Sequence, residues 1–281
     1  VIDKKGQLVT DLPQDSFRVF EDGVQQQIKL FRREDVPVAM GLVIDSSGSM
    51  RDKRQKVENA ALQLVKASNP QDQVFVVNFN DEAFLDAPFT NEIGKLEEGL
   101  SQIDSRGGTA MRDAVSMSID YLKDEGKIDK KVIVVVTDGN DNTSAISLEK
   151  LVQKAQQSEV LLYAIGLLSE EEKREAKRAK RALDALAHAS GGLAYYPREL
   201  AEVERISYQV AHEIRNQYIL AYSPARQELD GSYRQIRVAV DGPNKPVVRT
   251  RTGYYATPDA GQRVSPPKPA AKPGQRTAAG R

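Results

Sequence analysis

Val38-Ala39-Met40-Gly41-Leu42-Val43-Ile44-Asp45-Ser46-Ser47-Gly48-Ser49 is the stretch that decides the fold class. Its unbroken apolar run has the length of a strand buried on both faces of a parallel sheet. The run stops at a carboxylate and a turn rich in hydroxyls. A second stretch repeats that design: Lys131-Val132-Ile133-Val134-Val135-Val136-Thr137, the most strongly β-branched segment of the chain, stops at Asp138. Outward from these two, the patterning predicts a helix over 53–68, a strand over 74–80 and its hairpin partner over 83–89. Helices follow over 93–103, 109–123 and 148–158, then a buried strand over 160–166, a short strand over 191–196 and a closing helix over 200–214. Strands and helices alternating at this spacing predict the α/β class, with a doubly wound, mostly parallel sheet.

The flanks have a different texture. Residues 16–21 and 26–31 read as strands joined by Asp22-Gly23, a strong signal for a tight hairpin because glycine accepts positive φ. Strand-like runs return at 217–222, 233–240 and 247–252, with Asp230-Gly231 as a turn signal. The division expected is a hairpin part in 1–36, an α/β domain in 37–215 and returning strands in 216–256, with the two flanks pairing into one small β subdomain. Beyond Thr257 lie five of the thirteen prolines, among Ala and Lys, so 257–281 reads as a disordered tail.

Composition excludes several classes of function. The 281 residues carry 40 Lys and Arg against 40 Asp and Glu, so no net field draws in polyanions and broad nucleic-acid binding is a poor reading. With no cysteine there are no disulfides, thiolate zinc sites or iron–sulfur clusters, and two histidines leave little for a transition metal. Any metal here must be held by oxygen. No stretch reaches the roughly 18 apolar residues of a membrane span, and a chain opening at Val1 without a signal-peptide core points to processing or a fragment.

The chemistry gathers at the strand ends. In an open doubly wound sheet, ligands bind outside the carboxyl ends of the strands, where the strand order reverses. Asp45-Ser46-Ser47-Gly48-Ser49 and Asp138-Gly139-Asn140-Asp141-Asn142 would both sit there, and Gly107-Gly108-Thr109 offers another hydroxyl from the loop before a helix. Two carboxylates and three hydroxyls make a hard oxygen set of the kind Mg²⁺ takes, since Mg²⁺ usually accepts only one or two protein carboxylates. Largely neutral ligands would leave the ion most of its charge and an open position for an anionic oxygen from outside.

Asp45-Ser46-Ser47-Gly48-Ser49-Met50, Gly107-Gly108-Thr109 and Thr137-Asp138-Gly139 together resemble the metal-ion-dependent adhesion site of von Willebrand factor A domains, over 37–213. The resemblance implies a Rossmann-like fold in which Ser47, Ser49 and Thr109 touch Mg²⁺ or Mn²⁺. It also implies that Asp45 and Asp138 act directly or through water. A Glu or Asp carboxylate of a partner protein would complete the shell, which makes the chain a binding module for adhesion or assembly and not an enzyme. The flanks, through Asp15–Gly23, Gln217–Pro224 and Gly253-Tyr254-Tyr255, resemble the bacterial, acidobacterial-type group of VWFA-related domain proteins. That likeness implies an extracytoplasmic place, periplasmic or secreted, after loss of an export signal.

Two other functions compete with this one. A structural or assembly module would leave the metal site unused and make its contacts through the β subdomain or its tyrosines. A Mg²⁺-dependent phosphotransferase with Asp45 as nucleophile would need an acid two residues on, where Ser47 stands and cannot protonate a leaving group at neutral pH. His188 and His212 read as structural, as do the C-terminal tyrosines, and Asp141 reads as a solvated turn residue. The charge-rich helix over 169–189 has four acidic and six basic residues between Glu170 and Arg181. Pairs such as Glu170–Arg174 and Glu175–Arg178 predict a solvated face, with a patch for RNA or an acidic partner as the alternative.

Overall fold

A computed structural model describes residues 1–4, 7–33, 35–102, 104–139, 141–169, 172–242 and 246–258. The chain enters through β1 (Phe17–Glu21) and β2 (Val24–Gln26), a hairpin whose Asp22 and Gly23 sit at φ 47° and 83°. Next, β3 (Ile28–Arg32) leaves for a different sheet. The central unit runs β4 (Ala39–Asp45), α1 (Arg54–Lys66), β5 (Gln73–Phe79), β6 (Ala83–Thr90), α2 (Ile93–Ser101), α3 (Met111–Asp124) and β7 (Lys131–Thr137). It continues through α4 (Leu148–Gln157), β8 (Val160–Gly166), α5 (Lys173–Ser190), β9 (Ala194–Tyr195) and α6 (Glu202–Arg215), and the chain returns through β10 (Ile219–Tyr222), β11 (Tyr233–Val240) and β12 (Gly253–Tyr255).

The central sheet has the order β6-β5-β4-β7-β8-β9, and every neighbouring pair is parallel except β5 with its hairpin partner β6. This is the doubly wound α/β sheet that the alternation predicts. From β4 the chain winds outward to β5 and β6, then crosses back to β7, so the order reverses between β4 and β7 and a crevice opens at their carboxyl ends. All seven residues of β4 and of β7 are buried. Alternate side chains feed opposite layers. Met40, Leu42 and Ile44 meet Val57 and Leu64 of α1, Leu96 of α2 and Ile206 and Val210 of α6, while Val43, Ile133 and Val135 meet Val115 and Ile119 of α3, Leu151 of α4 and Leu183 of α5. Gly41 is the small residue in β4 for a steric reason: a Cβ there would lie 2.4 Å from the Phe75 ring.

The flanking strands build two further sheets, β12-β11-β1-β2 and β10-β3, all with antiparallel pairs. Phe17, Phe31 and Tyr218 pack with ring centroids 4.8 to 5.8 Å apart and join the two sheets. The strand expected over 247–252 does not form. Apart from an isolated bridge from Val247 to Ile2, that segment lies across the end of α5: a Cβ on Gly191 would meet the Thr250 carbonyl carbon at 2.7 Å, and Thr252 N donates to Ala189 O. The last strand is β12, six residues later than expected. The charge-rich helix also starts late, at Lys173, and the tail beyond Pro258 lies outside the described residues.

Candidate metal site

The crevice between β4 and β7 is built by three loops that hold one another. Ser46 N donates to Phe79 O at 2.7 Å, Arg106 N to Ser46 O at 3.0 Å and Gly48 N to Gly107 O at 3.2 Å, so the turn after β4 is tied to the loop before α3. Gly107 holds φ +73°, and a Cβ there would strike the Asp81 carboxylate at 2.1 Å. Asp81 accepts from Gly108 N and Asn142 Oδ1 accepts from Thr109 N, which fixes the Thr109 backbone from both sides.

Within this frame the five residues singled out from the sequence converge. Ser47 Oγ and Ser49 Oγ are 3.2 Å apart, and Ser49 Oγ donates to Asp138 Oδ1 at 2.8 Å. Thr109 reaches the same loop, its Oγ1 lying 3.5 Å from where a Cβ would stand on Gly139. Asp45 is deeper: its Oδ1 accepts from Ser47 N at 2.8 Å and its Oδ2 from Thr137 Oγ1 at 2.5 Å. Both of its oxygens are thus engaged, while Ser49 is exposed to solvent. Among the described residues no three His, Cys, Asp or Glu gather as a metal cluster; the polar side chains that meet here are two carboxylates and hydroxyls.

The charge balance fits a cation. Burial pushes the Asp45 carboxyl up to about 6, helped by the nearby Asp138 charge, although hydrogen bonds from Thr137 and Ser47 pull it back. The Lys53 ammonium, from just before α1, pairs with Asp138 Oδ2. One amine faces two carboxylates.

Residues 40–140 match the sequence model of the von Willebrand factor type A domain. The chain carries a von Willebrand factor A domain. Over 139 residues it is 27% identical to inter alpha-trypsin inhibitor heavy chain 4 of Mus musculus, an alignment that takes in 44% of this chain and 15% of that protein. The chain therefore spans only a small part of that relative. A von Willebrand factor type A structure from Catenulispora acidiphila superposes with a TM-score of 0.55 at 17% identity, over 71% of this chain and 50% of that one. Proximal thread matrix protein 1 of the mussel byssus, with a zinc-occupied metal-ion-dependent adhesion site, superposes with a TM-score of 0.51 at 18% identity, over 64% and 48%. At these identities the two structures speak for the fold of the A domain.

Other residues of the A domain take roles that sequence reading missed. Asp141 is no solvated turn residue: its side chain is only 5% exposed and accepts from Arg112 N and Nη2 and from Ser144 N and Oγ, so it organises the loop after β7. Lys53 and Thr137, which touch the two carboxylates, were read only as a helix start and a strand end. Their signal was proximity in sequence to Asp45 and Asp138. His188 and His212 lie on exposed helix surface, and His212 Nδ1 is 3.2 Å from Asn216 Nδ2. The tyrosines lock the flanks: Tyr195 OH donates to Glu213, and Tyr222 and Tyr254 OH both donate to the buried Glu21.

Proposed function

We propose that this A domain is a metal-dependent protein-binding module. In this reading a divalent cation, Mg²⁺ or Mn²⁺, is held by Asp45, Ser47, Ser49, Thr109 and Asp138 and bridges to a Glu or Asp carboxylate of a partner protein. The observation that carries the reading is the contact of Ser47, Ser49 and Asp138 within 3.2 Å at the switch point, over a buried Asp45 that lacks a cation of its own. Ser47, Ser49 and Thr109 contribute neutral oxygens and Asp138 a charged one. Asp45 aligns the Ser47 turn and Thr137 through its two hydrogen bonds. A bound ion would supply Lewis acidity toward an incoming carboxylate. The zinc-occupied adhesion site of the byssus protein supports the choice of a divalent ion.

The non-catalytic reading rests on Ser47, which stands where a phosphotransferase would need an acid. We further propose that residues 1–36 and 216–256 act as one small β subdomain beside the A domain of 37–215, and that the protein works outside the cytoplasm. Among the described residues no helix is long and apolar enough to cross a membrane. The test of the bridging reading is Mn²⁺ electron paramagnetic resonance on chelator-treated protein. A bound signal, displaced by Mg²⁺, altered by glutarate as a carboxylate probe and absent in Asp138→Ala, is expected. A bound signal indifferent to glutarate would count against the bridge.

A further inference from the structure

We infer that the outward face of α5, formed by Lys173, Arg174, Lys177, Arg178 and Arg181, is a docking strip for an acidic polypeptide segment. All five side chains are exposed. At about 100° per residue they fall within one arc of about 140°, opposite the stripe of Ala179, Leu183, Leu186 and Ala187 that packs into the domain. Along the axis they cover about 12 Å at 1.5 Å per residue.

The strip works against its own helix. Cations are unfavourable in the first turn of a helix, where the macrodipole is positive, and Lys173 and Arg174 stand there, with Glu175 as the acidic residue of that turn. Lys173 with Lys177, Arg174 with Arg178 and Lys177 with Arg181 are like charges at i,i+4, an arrangement that destabilises a helix. Among the described residues Glu175 and Arg178 form no ion pair, and the ion pair of α5 is Lys180 with Asp184; Glu170 lies outside the described residues. Like charges kept in register along an exposed helix face are a local conflict expected where a surface serves a partner.

The position supports the same conclusion. Gly166 at the end of β8 pairs with Thr137 at the end of β7, and Leu167 N donates to Thr137 O at 2.8 Å. The chain then needs six residues to reach Lys173, so the basic half of α5 rises at the same end of the sheet as Asp45 and Asp138, one strand beyond β7. A membrane is disfavoured because the apolar stripe of α5 is buried and none of the exposed large hydrophobic side chains lies on this helix. A nucleic acid is disfavoured by the short strip and by a net charge of zero. Acidic polypeptide is the class that can meet both the strip and the metal, and this choice rests on the carboxylate-bridging reading above.

The test uses a fluorescent peptide of about twelve glutamates, followed by anisotropy in Mg²⁺ and in chelator, from low salt to physiological salt where screening sets in over about 8 Å. The variant is Lys173→Glu/Lys177→Glu/Arg178→Glu, and the control reverses the same number of exposed charges elsewhere, Lys56→Glu/Lys66→Glu/Lys123→Glu. We expect the α5 variant to bind at least about tenfold more weakly, the control within about twofold of wild type, and salt to remove the difference. The α5 variant should melt no lower than wild type, because acidic groups suit the start of a helix; a mere loss of structure would lower the melting temperature. Equal binding by the α5 variant and the control overturns the strip, and if chelator then abolishes binding the bridge still stands. Loss in the α5 variant with no effect of chelator keeps the strip and removes the bridge. Tighter binding of a thymidine oligonucleotide or of phosphatidylserine vesicles to the strip than of the peptide overturns the assignment to acidic polypeptide.

Discussion

Glu213 and Asp45 are both buried carboxylates, and the chain surrounds them in opposite ways. Glu213, on α6, accepts from the Tyr195 hydroxyl at 2.6 Å, from Gln209 Nε2 at 3.3 Å and from the Arg249 guanidinium at 2.9 Å. Its charge is matched from within the fold, and α6, β9 and the returning flank are fastened together by it. Asp45 receives a hydroxyl and an amide but no cation, and its proton is held up to about pH 6. Buried charge that the fold neutralises is structural. Buried charge left short of a counter-ion, at a sheet's switch point and beneath the exposed Ser49, is prepared for something that arrives later.

Removing each carboxylate separates the two cases, and the largest effect belongs to Glu213. Glu213→Ala strands the Arg249 charge and the Tyr195 hydroxyl, so urea unfolding is expected to show a loss of about 3–5 kcal/mol, the range for breaking a buried pair. A loss below about 1 kcal/mol would break the comparison. Asp45→Asn goes the other way. A carboxyl raised from 3.8 to about 6 favours the folded state fully below pH 4 and loses that contribution as pH rises to 6 and above. Metal-free wild type should therefore lose on the order of 2–3 kcal/mol between pH 4 and 7 from this group. Asp45→Asn should flatten that slope and be the more stable protein at pH 7 without metal. Added Mg²⁺ should reverse the ranking, because it binds the folded wild type alone. Thermal melts at both pH values check the order.

Two smaller changes sharpen the picture of the site. Gly107→Ala places a side chain at φ +73° and against Asp81, so a stability loss of about 1–2 kcal/mol is expected together with weaker metal binding, since the Thr109 loop must shift. Unchanged metal affinity in a folded Gly107→Ala protein would detach that loop from the site. Lys53→Ala removes the amine that pairs with Asp138. The metal-free protein should lose about 1–3 kcal/mol, because the buried Asp138 carboxylate is left without its partner, while Mg²⁺ affinity rises a few-fold because the ion no longer competes with the ammonium. Calorimetric titration at pH 7 reads both.

The central sheet was legible because buried parallel strands leave unbroken apolar runs, and β4, β7 and β8 have no other reading. The convergence of Asp45, Ser47, Ser49, Thr109 and Asp138 was legible because they stand directly at the ends of such strands or on a Gly-Gly loop, where position in sequence fixes position in the crevice. Lys53 and Asp141 were not. Their parts depend on which loop folds against which, and one Asp in a polar turn looks like any other until Arg112 and Ser144 close around it. The flanks were harder still: β10 pairs with β3 and β11 with β1, contacts across about two hundred residues that no local pattern encodes. The missing strand over 247–252 has the same cause, since its β-branched residues answer to the end of α5 and not to a neighbouring strand.

We propose above that the hydroxyls and carboxylates at the ends of β4 and β7 bind a divalent cation. The most direct test is isothermal titration of Mg²⁺ and Mn²⁺ into chelator-treated protein beside Asp45→Ala and Thr109→Ala variants whose fold has been confirmed by circular dichroism. One saturable site is expected in wild type, and both variants should weaken it at least about tenfold. Saturable binding unaffected by either substitution, or none in wild type up to millimolar metal even with glutarate present, would contradict it.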